Sequence, residues 1–152
     1  MSATSVFGPN NYPFSSGNIN GEAWLVIFST DGVSPNDEIV VGLATSSSAT
    51  GPRDFVIDWG EALYTDGEID WNSTLAGDFT DFAEYQVTNW DAQRYAPEFM
   101  FALPPDANNK ENIVLRLRVN GTRRANLSAT NTAFGTAGTN RLCGLVVSAR
   151  EK

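Results

Sequence analysis

The residues best suited to chemistry are acids in the middle of the chain. Asp66, Glu68 and Asp70 alternate along the sequence, so a strand would present all three carboxylates on one face. Hard oxygen ligands of this kind suit Ca²⁺. The match to a full calcium loop is poor, because a glycine falls between the first two acids and no distal glutamate is correctly spaced. We expect an acidic rim in solvent and no metal or cofactor, with calcium binding as the alternative.

A second group of acids could serve glycoside hydrolysis, in which two carboxyl groups flank the scissile bond. Asp58, Glu61 and Glu84 are candidate members of such a pair, but nothing in the sequence sets their separation. The chain contains no histidine, which excludes serine and cysteine triads with an imidazole base and most zinc sites. We therefore expect a protein that is not an enzyme.

The chain has a single cysteine, so an intrachain disulfide and a cysteine metal cluster are impossible. Cys143 lies within an apolar run, residues 142–147. Free cysteine is among the residue types most often buried in proteins. We expect Cys143 to be a buried structural thiol.

Aromatic residues in the acidic region suggest a different kind of site. Trp59, Tyr64, Trp71 and Trp90 lie near aspartate and asparagine residues. Exposed rings beside such polar groups can stack on sugar rings. The other interpretation is packing in the core or beneath loops, because large aromatic side chains bury most of their surface.

Acidic and basic residues occupy different parts of this chain, whose net charge is −8. Residues 54–91 contain ten acidic residues and no basic one, whereas residues 110–152 contain eight basic and two acidic residues. This balance argues against a nucleic-acid partner, since phosphate binding needs a positive surface. It favours charge pairing, within the domain or between copies. We expect no membrane partner and no secretion signal, because no stretch is apolar enough to span a bilayer.

The element that organises these residues is a predicted β-hairpin over residues 113–129. Apolar residues alternate with Arg116 and Arg118, and Asn120-Gly121 suits a tight turn. A bulged loop over residues 119–121 keeps the apolar face continuous and sets Arg116 opposite Arg124. Like charges directly opposite are unfavourable, so this arginine cluster should have an acidic partner. It is either a solvated outer face or a patch that faces a partner.

Short segments bounded by turn residues predict further strands at residues 23–29, 38–44, 54–59, 82–90, 98–103 and 142–149. Residues 23–29 are apolar on both faces, which favours a central strand, whereas residues 54–59 alternate. Residues 63–71 are either a short hairpin on an Asp-Gly turn or a structured loop. Residues 91–95 suit a helical turn, and no long helix is expected. Roughly eight or nine short strands in one domain, residues 22–152, predict an all-β antiparallel β-sandwich or jelly roll.

Residues 1–21 differ from this domain in composition. They carry one charged group, the terminus, and are rich in serine, asparagine, glycine and proline. Prolines favour an extended backbone. Phe7, Tyr12 and Phe14 are apolar anchors that a free linker would not need. We expect an extended N-terminal arm that docks on its own domain or on a neighbouring subunit.

The uncharged arm, the compact all-β body and the divided charge together resemble the decoration or cement proteins of tailed-bacteriophage heads, several of which are jelly-roll domains. The resemblance concerns the organisation of the whole chain, so no functional residue is carried over. It implies a structural protein of the virion, assembled in the host cytoplasm, that forms a homo-oligomer (a trimer is favoured) and binds the major capsid protein or another virion protein. The contact residues expected under it are Phe7, Tyr12, Phe14, Arg116, Arg118 and Arg124.

The alternative is a carbohydrate-binding or receptor-binding β-sandwich. Its expected glycan-binding residues are Trp59, Tyr64 and Trp71, and it has no need of a long uncharged arm with aromatic anchors.

Overall fold

The protein is represented by a computed structural model that describes residues 3–7, 12–13, 23–87, 96–126, 133–134 and 138–152. These residues form mainly strands. The strands are β1 (Ala3–Phe7), β2 (Tyr12–Pro13), β3 (Ala23–Phe28), β4 (Asp37–Ser47), β5 (Asp54–Glu61), β6 (Tyr64–Thr65), β7 (Glu68–Ile69), β8 (Thr80–Gln86), β9 (Glu98–Ala102), β10 (Ile113–Val119) and β11 (Thr139–Glu151). One helix, α1, spans Trp71–Ala76, and a 3-10 turn spans Pro105–Ala107.

Two antiparallel sheets pack face to face. The first has the order β1-β3-β10-β5-β8 and the second has the order β2-β11-β4-β9, while β6 and β7 form a separate hairpin. With β1 set aside as an extra edge strand, β3-β10-β5-β8 against β2-β11-β4-β9 is the strand order of a jelly roll. The predicted all-β antiparallel sandwich is therefore confirmed.

The core lies between the two sheets and follows the period-two pattern of the strands. In β10, Ile113, Leu115 and Leu117 are fully buried, and they belong to one apolar cluster with Ile39 and Val41 of β4. Burying a side chain of this size stabilises the folded state by about 1.5–3 kcal/mol. The alternate residues of the same strands face away from the core, and these positions form the outer surfaces of the sandwich.

The structure corrects the prediction of a hairpin over residues 113–129. β10 forms where the alternation predicted it, but it is a central strand with a neighbour on each side. Leu115 pairs with Val26 of β3 on one edge and with Trp59 of β5 on the other. No free edge is left for a returning partner strand. The strand from Ala23, predicted to pack near β10, is one of its hydrogen-bonded neighbours.

The chain leaves β10 through a crossing loop. Gly121 has a φ of +111°, so the predicted need for a left-handed residue is met. The loop then runs towards the β4–β5 connection, where Arg124 forms a bridge with Pro52. Arg124 therefore does not pair with Arg116, contrary to the predicted register. The same predicted register paired Ile113 with Leu127, and Leu127 lies outside the described residues.

The remaining strand predictions agree with the fold within a few residues, in β3, β4, β5, β8, β9 and β11. Of the two alternatives for residues 63–71, the short hairpin forms as β6 and β7, with Asp66 (φ 53°) and Gly67 (φ 83°) in its turn. Helix α1 follows and was not predicted. Trp90 and the turn predicted over residues 91–95 lie outside the described residues.

The described parts of the N-terminal arm are strands on the edges of this domain. The backbone of β1, which includes Phe7, pairs with β3, and the backbone of β2, which includes Tyr12, pairs with β11. Phe14 lies outside the described residues. The arm was expected to dock on its own domain or on a neighbouring subunit. These pairings place its described backbone on its own domain.

A buried amide links the two sheets. The side chain of Asn140 in β11 accepts a hydrogen bond from Trp24 Nε1 of β3 at 2.7 Å and donates to the carbonyl oxygen of Ser46 at 3.0 Å. It also donates to the hydroxyl groups of Thr45 and Ser47, each at 3.1 Å. Removing the amide leaves the buried Trp24 indole N–H without this acceptor, whereas the hydroxyl groups of Thr45 and Ser47 still donate to the carbonyl oxygens of Arg141 and Pro52.

We expect Asn140→Ala to lower the free energy of unfolding by about 3 kcal/mol, because the Trp24 indole N–H loses its buried acceptor and the amide's own hydrogen bonds to β4 are lost. Urea unfolding followed by tryptophan fluorescence measures the change. The control is Asn112→Ala, whose partly exposed amide donates to one exposed hydroxyl group, and it should cost less than about 1 kcal/mol. Equal midpoints for the two variants would contradict a structural role for Asn140.

Candidate interaction surfaces

A buried ion cluster organises the outer face of the first sheet. The pairing of β10 with β5 sets Arg116 directly opposite Asp58. Arg116 donates to both carboxylate oxygens of Asp58, with N–O distances of 2.9 and 2.8 Å, and Arg118 Nε donates to the same group at 2.6 Å. Arg118 Nη2 also reaches Asp81 of β8 at 2.9 Å. The cluster thus joins β5, β8 and β10, and it supplies the acidic partner predicted for these arginines.

The local fold shields this cluster. The guanidinium group of Arg116 lies 3.5 Å from the centre of the Phe79 ring. Phe79 comes close to the sheet because residue 60 is glycine: a Cβ there would lie 3.2 Å from the ring and 2.9 Å from the Asp78 carbonyl oxygen. Burial by itself lowers the pKa of Arg118, but the hydrogen bond and charge of Asp58 outweigh it, so this pKa lies above its ordinary value.

Other basic residues from the C-terminal part of the chain also pair within the domain. Lys110 contacts Glu61 at 2.6 Å and Arg123 contacts Asp54 at 2.7 Å, while Arg150 pairs with Glu38. The divided charge of the sequence is therefore matched inside the fold. In particular, the acids that Arg116 and Arg118 meet belong to their own chain.

The acids considered for metal binding and catalysis have other partners. Asp70 is the N-cap of α1: its carboxylate accepts from the Ser73 backbone N–H at 3.0 Å and from the Ser73 hydroxyl at 2.7 Å. These hydrogen bonds, the backbone one first, lower the pKa of Asp70. Among the described residues, no group of three carboxylate, thiol or imidazole side chains is placed to hold a metal ion.

The carboxylates considered for glycoside hydrolysis are likewise held apart from one another by different contacts. Asp58 is buried beneath two arginines and Glu61 pairs with Lys110, while Glu84 accepts a longer hydrogen bond from Asn120 at 3.4 Å. The first of these is closed to solvent, so a sugar could not reach it.

The aromatic residues considered for glycan binding divide into two groups. Trp59 is half-buried and packs against the core. Tyr64 is 42% exposed, and its hydroxyl oxygen accepts a hydrogen bond from the Asn112 amide. Trp71, also half-buried, begins α1. Tyr64 and Trp71 lie close in sequence on residues 62–79, the insert between β5 and β8, whereas Trp59 is part of the sandwich.

Cys143 is exposed, contrary to the prediction of a buried thiol. The pairing of β11 with β4 shifts by one residue between Leu142 and Gly144, so Cys143 is the extra residue of a bulge. Leu142 packs against the core, whereas the thiol lies 4.0 Å from the hydroxyl group of Ser46 on the outer side. The apolar run around Cys143 did not reveal this irregularity.

Two patches carry every exposed large hydrophobic residue of the described chain. The first is the outer apolar face of the second sheet, where Met100, Gly42 and Val146 form one row across β9, β4 and β11. Met100 is 69% exposed and Val146 is 65% exposed. The small residues between them leave a groove of about 340 Å³ whose floor includes Ala44 and Gly144.

The second patch, the insert patch, consists of Leu63, Tyr64 and Leu75, all of which are exposed. The hydroxyl group of Thr74 holds it together, because it accepts from the Leu63 N–H at 2.9 Å and donates to the Leu63 carbonyl oxygen at 3.4 Å. Met100, Val146, Leu63 and Leu75 were not predicted as site residues, whereas Tyr64 was a candidate for glycan binding. Only a weak indication of these surfaces was present in the sequence: β9 has apolar residues at consecutive positions, and the leucines of the insert lie next to acidic turns.

Comparison with known proteins gives no assignment: no family model matches the chain, and no curated protein matches it. Within the described residues, no helix has the length and apolar character needed to cross a membrane.

We expect Asp58→Asn to lower the free energy of unfolding by about 3 kcal/mol, because two partly buried arginines lose their charged partner. The control is Asp81→Asn, which removes an exposed acid from the same cluster and should cost no more than about 1 kcal/mol. Urea unfolding at neutral pH compares them. If the two substitutions cost the same, Asp58 does not hold the cluster together.

Proposed function

We propose that this chain is a non-enzymatic structural protein of a viral particle, a decoration protein that binds the shell and associates with other copies of itself. One observation carries the proposal: the domain has two separate exposed apolar patches, while five of its described arginines form ion pairs with acids of the same domain. A protein built to meet two different neighbours needs two contact surfaces of this kind.

Physical arguments favour contacts over a ligand site. Exposed apolar side chains that cluster commonly mark interaction surfaces. The groove of the outer apolar face is lined mostly by apolar and small residues, which suits a protein surface better than a small polar ligand. The jelly-roll order is also one that recurs in proteins of viral shells. In this proposal the insert patch contacts the shell, and the second sheet contacts another copy.

The residues that the sequence favoured for partner contacts are less suited to that role in the folded domain. Arg116 and Arg118 are engaged with Asp58, and Arg124 lies apart from them on the crossing loop. The described backbone of the arm pairs with the domain's own sheets. The proposal therefore assigns partner binding to Leu63, Tyr64 and Leu75 instead.

A second candidate function is carbohydrate or receptor binding by the insert. The observation in its favour is the exposed ring of Tyr64, whose hydroxyl group is oriented by Asn112. Aromatic rings fixed in this way can stack on a sugar, and Trp71 lies nearby in sequence. Trp59 is left out of this site because it packs against the core.

The test is rebinding to particles. Virus particles from the culture that naturally produces the chain should carry it, as detected with an antibody in density-gradient fractions. After the chain has been stripped off, added wild-type protein should rebind. Leu75→Lys should reduce the bound fraction at least about tenfold, since it places a charge in the apolar contact.

The matched control is Asn72→Lys, which adds the same charge at an exposed position of the same helix without removing an apolar group. It should rebind nearly as well as the wild type. Absence of the chain from particles would contradict the proposal. Binding of the wild type to a glycan array, lost in Tyr64→Ala, would support the second candidate instead.

A further inference from the structure

We propose that two copies of the chain associate by antiparallel pairing of their β9 strands about a two-fold axis at Met100. This inference rests on the proposed function, because it names the partner of the second sheet as another copy. The pairing would join two second sheets into one continuous sheet.

β9 is the last strand of the second sheet, and β4 is its neighbour on one side. No described residue forms a strand along its other side. The hydrogen bonds from Leu103 N–H to the Ile39 carbonyl oxygen and from Thr45 N–H to the Pro97 carbonyl oxygen fix the phase of the ladder. Because the ladder alternates, Phe99 and Phe101 direct their backbone groups towards β4.

The intervening residues of β9 are therefore the ones with backbone groups available to a partner. Glu98, Met100 and Ala102 point their N–H and C=O groups towards the free edge. Unpaired groups of this kind form a template for another strand. A two-fold axis at Met100 sets Met100 opposite its copy and Glu98 opposite Ala102. Residues with outward backbone groups then meet one another, as an antiparallel ladder requires.

The charges of β9 permit this register. Glu98 is the one charged residue of the strand, and the register places it opposite an alanine rather than opposite another acid. One edge of the first sheet differs, because its last strand, β8, carries Asp81 and Glu84. Charged side chains on an edge strand discourage pairing with a second copy. Of these two edges, β9 is the one suited to self-association.

The apolar surface beside the edge also favours the pairing. Met100 is 69% exposed in one copy, and the axis brings the two Met100 side chains together on the outer face. Burying them adds an apolar contribution to the backbone hydrogen bonds. The contact is isologous, so it predicts a dimer, whereas the organisation of the sequence favoured a trimer.

Sedimentation equilibrium of the full chain tests the inference. The wild type should form a dimer in a concentration-dependent manner. Met100→Lys should weaken dimerisation at least about tenfold, because it sets two like charges opposite each other at the axis. Ala102→Pro should have a similar effect, because it removes an N–H that faces the free edge and none that bonds to β4.

The matched control is Val146→Lys. Val146 has nearly the same exposure as Met100 and lies in the same row, but it is two strands from the edge. It should dimerise like the wild type. Thermal unfolding of each variant confirms that it remains folded.

A monomeric wild type would overturn the pairing, and so would loss of the dimer in Val146→Lys, which would indicate contact across the outer face. The proposed function fails separately: a dimer that is absent from particles overturns the structural role alone, and a monomer that still binds particles overturns the β9 pairing alone.

Discussion

The position of Asp58 between Arg116 and Arg118 is the constraint on which the surface of this protein depends. A carboxylate buried in a sheet needs charged partners, and β10 supplies two of them on alternate residues. A shift of β10 by one residue would turn both arginines into the core, so the ion cluster and the apolar core specify the same register. The cluster engages Arg116 and Arg118, two of the three arginines that the sequence offered for external contacts, whereas Arg124 lies apart from it.

The charge balance of the domain limits how copies of the chain can associate. The chain has a net charge of −8, and six of its described basic side chains form ion pairs with acids of the same domain: Arg53, Lys110, Arg116, Arg118, Arg123 and Arg150. Copies of such a domain repel one another at a distance. If they associate, the attraction must come from apolar contacts and backbone hydrogen bonds. The exposed row of Met100 and Val146 beside the free edge of β9 offers both.

Much of the fold could be predicted because strands with one buried face alternate in sequence, as β5 and β10 do, and because a short run that is apolar on both faces indicates a central strand, as in β3. The strands β4, β8, β9 and β11 were also predicted, and the Asp66-Gly67 hairpin was one of two alternatives for its segment. The prediction of a hairpin after β10 was wrong. Asn120-Gly121 indicates only a local turn, whereas strands distant in sequence occupy both edges of β10. Local turn chemistry cannot distinguish a returning strand from a crossing loop.

The surfaces were harder to predict for the same reason. Cys143 is exposed through a bulge that depends on the pairing of β11 with β4, and Met100 is exposed because its position in β9 faces away from the core of the sandwich. Both are properties of the assembled sheet. The arginine cluster could be predicted in part. Like charges on neighbouring positions indicated that the arginines need an acidic partner, but the sequence did not indicate that this partner is Asp58.

The most direct test of this account is the dimerisation constant of the wild-type chain, measured by light scattering across a range of salt concentrations. Salt screens repulsion between like-charged copies and leaves apolar contacts intact. The account predicts a dimer that is as stable or more stable at high salt. An oligomer that dissociates as the salt concentration rises would show that charge pairs between copies hold it together, and would contradict the account.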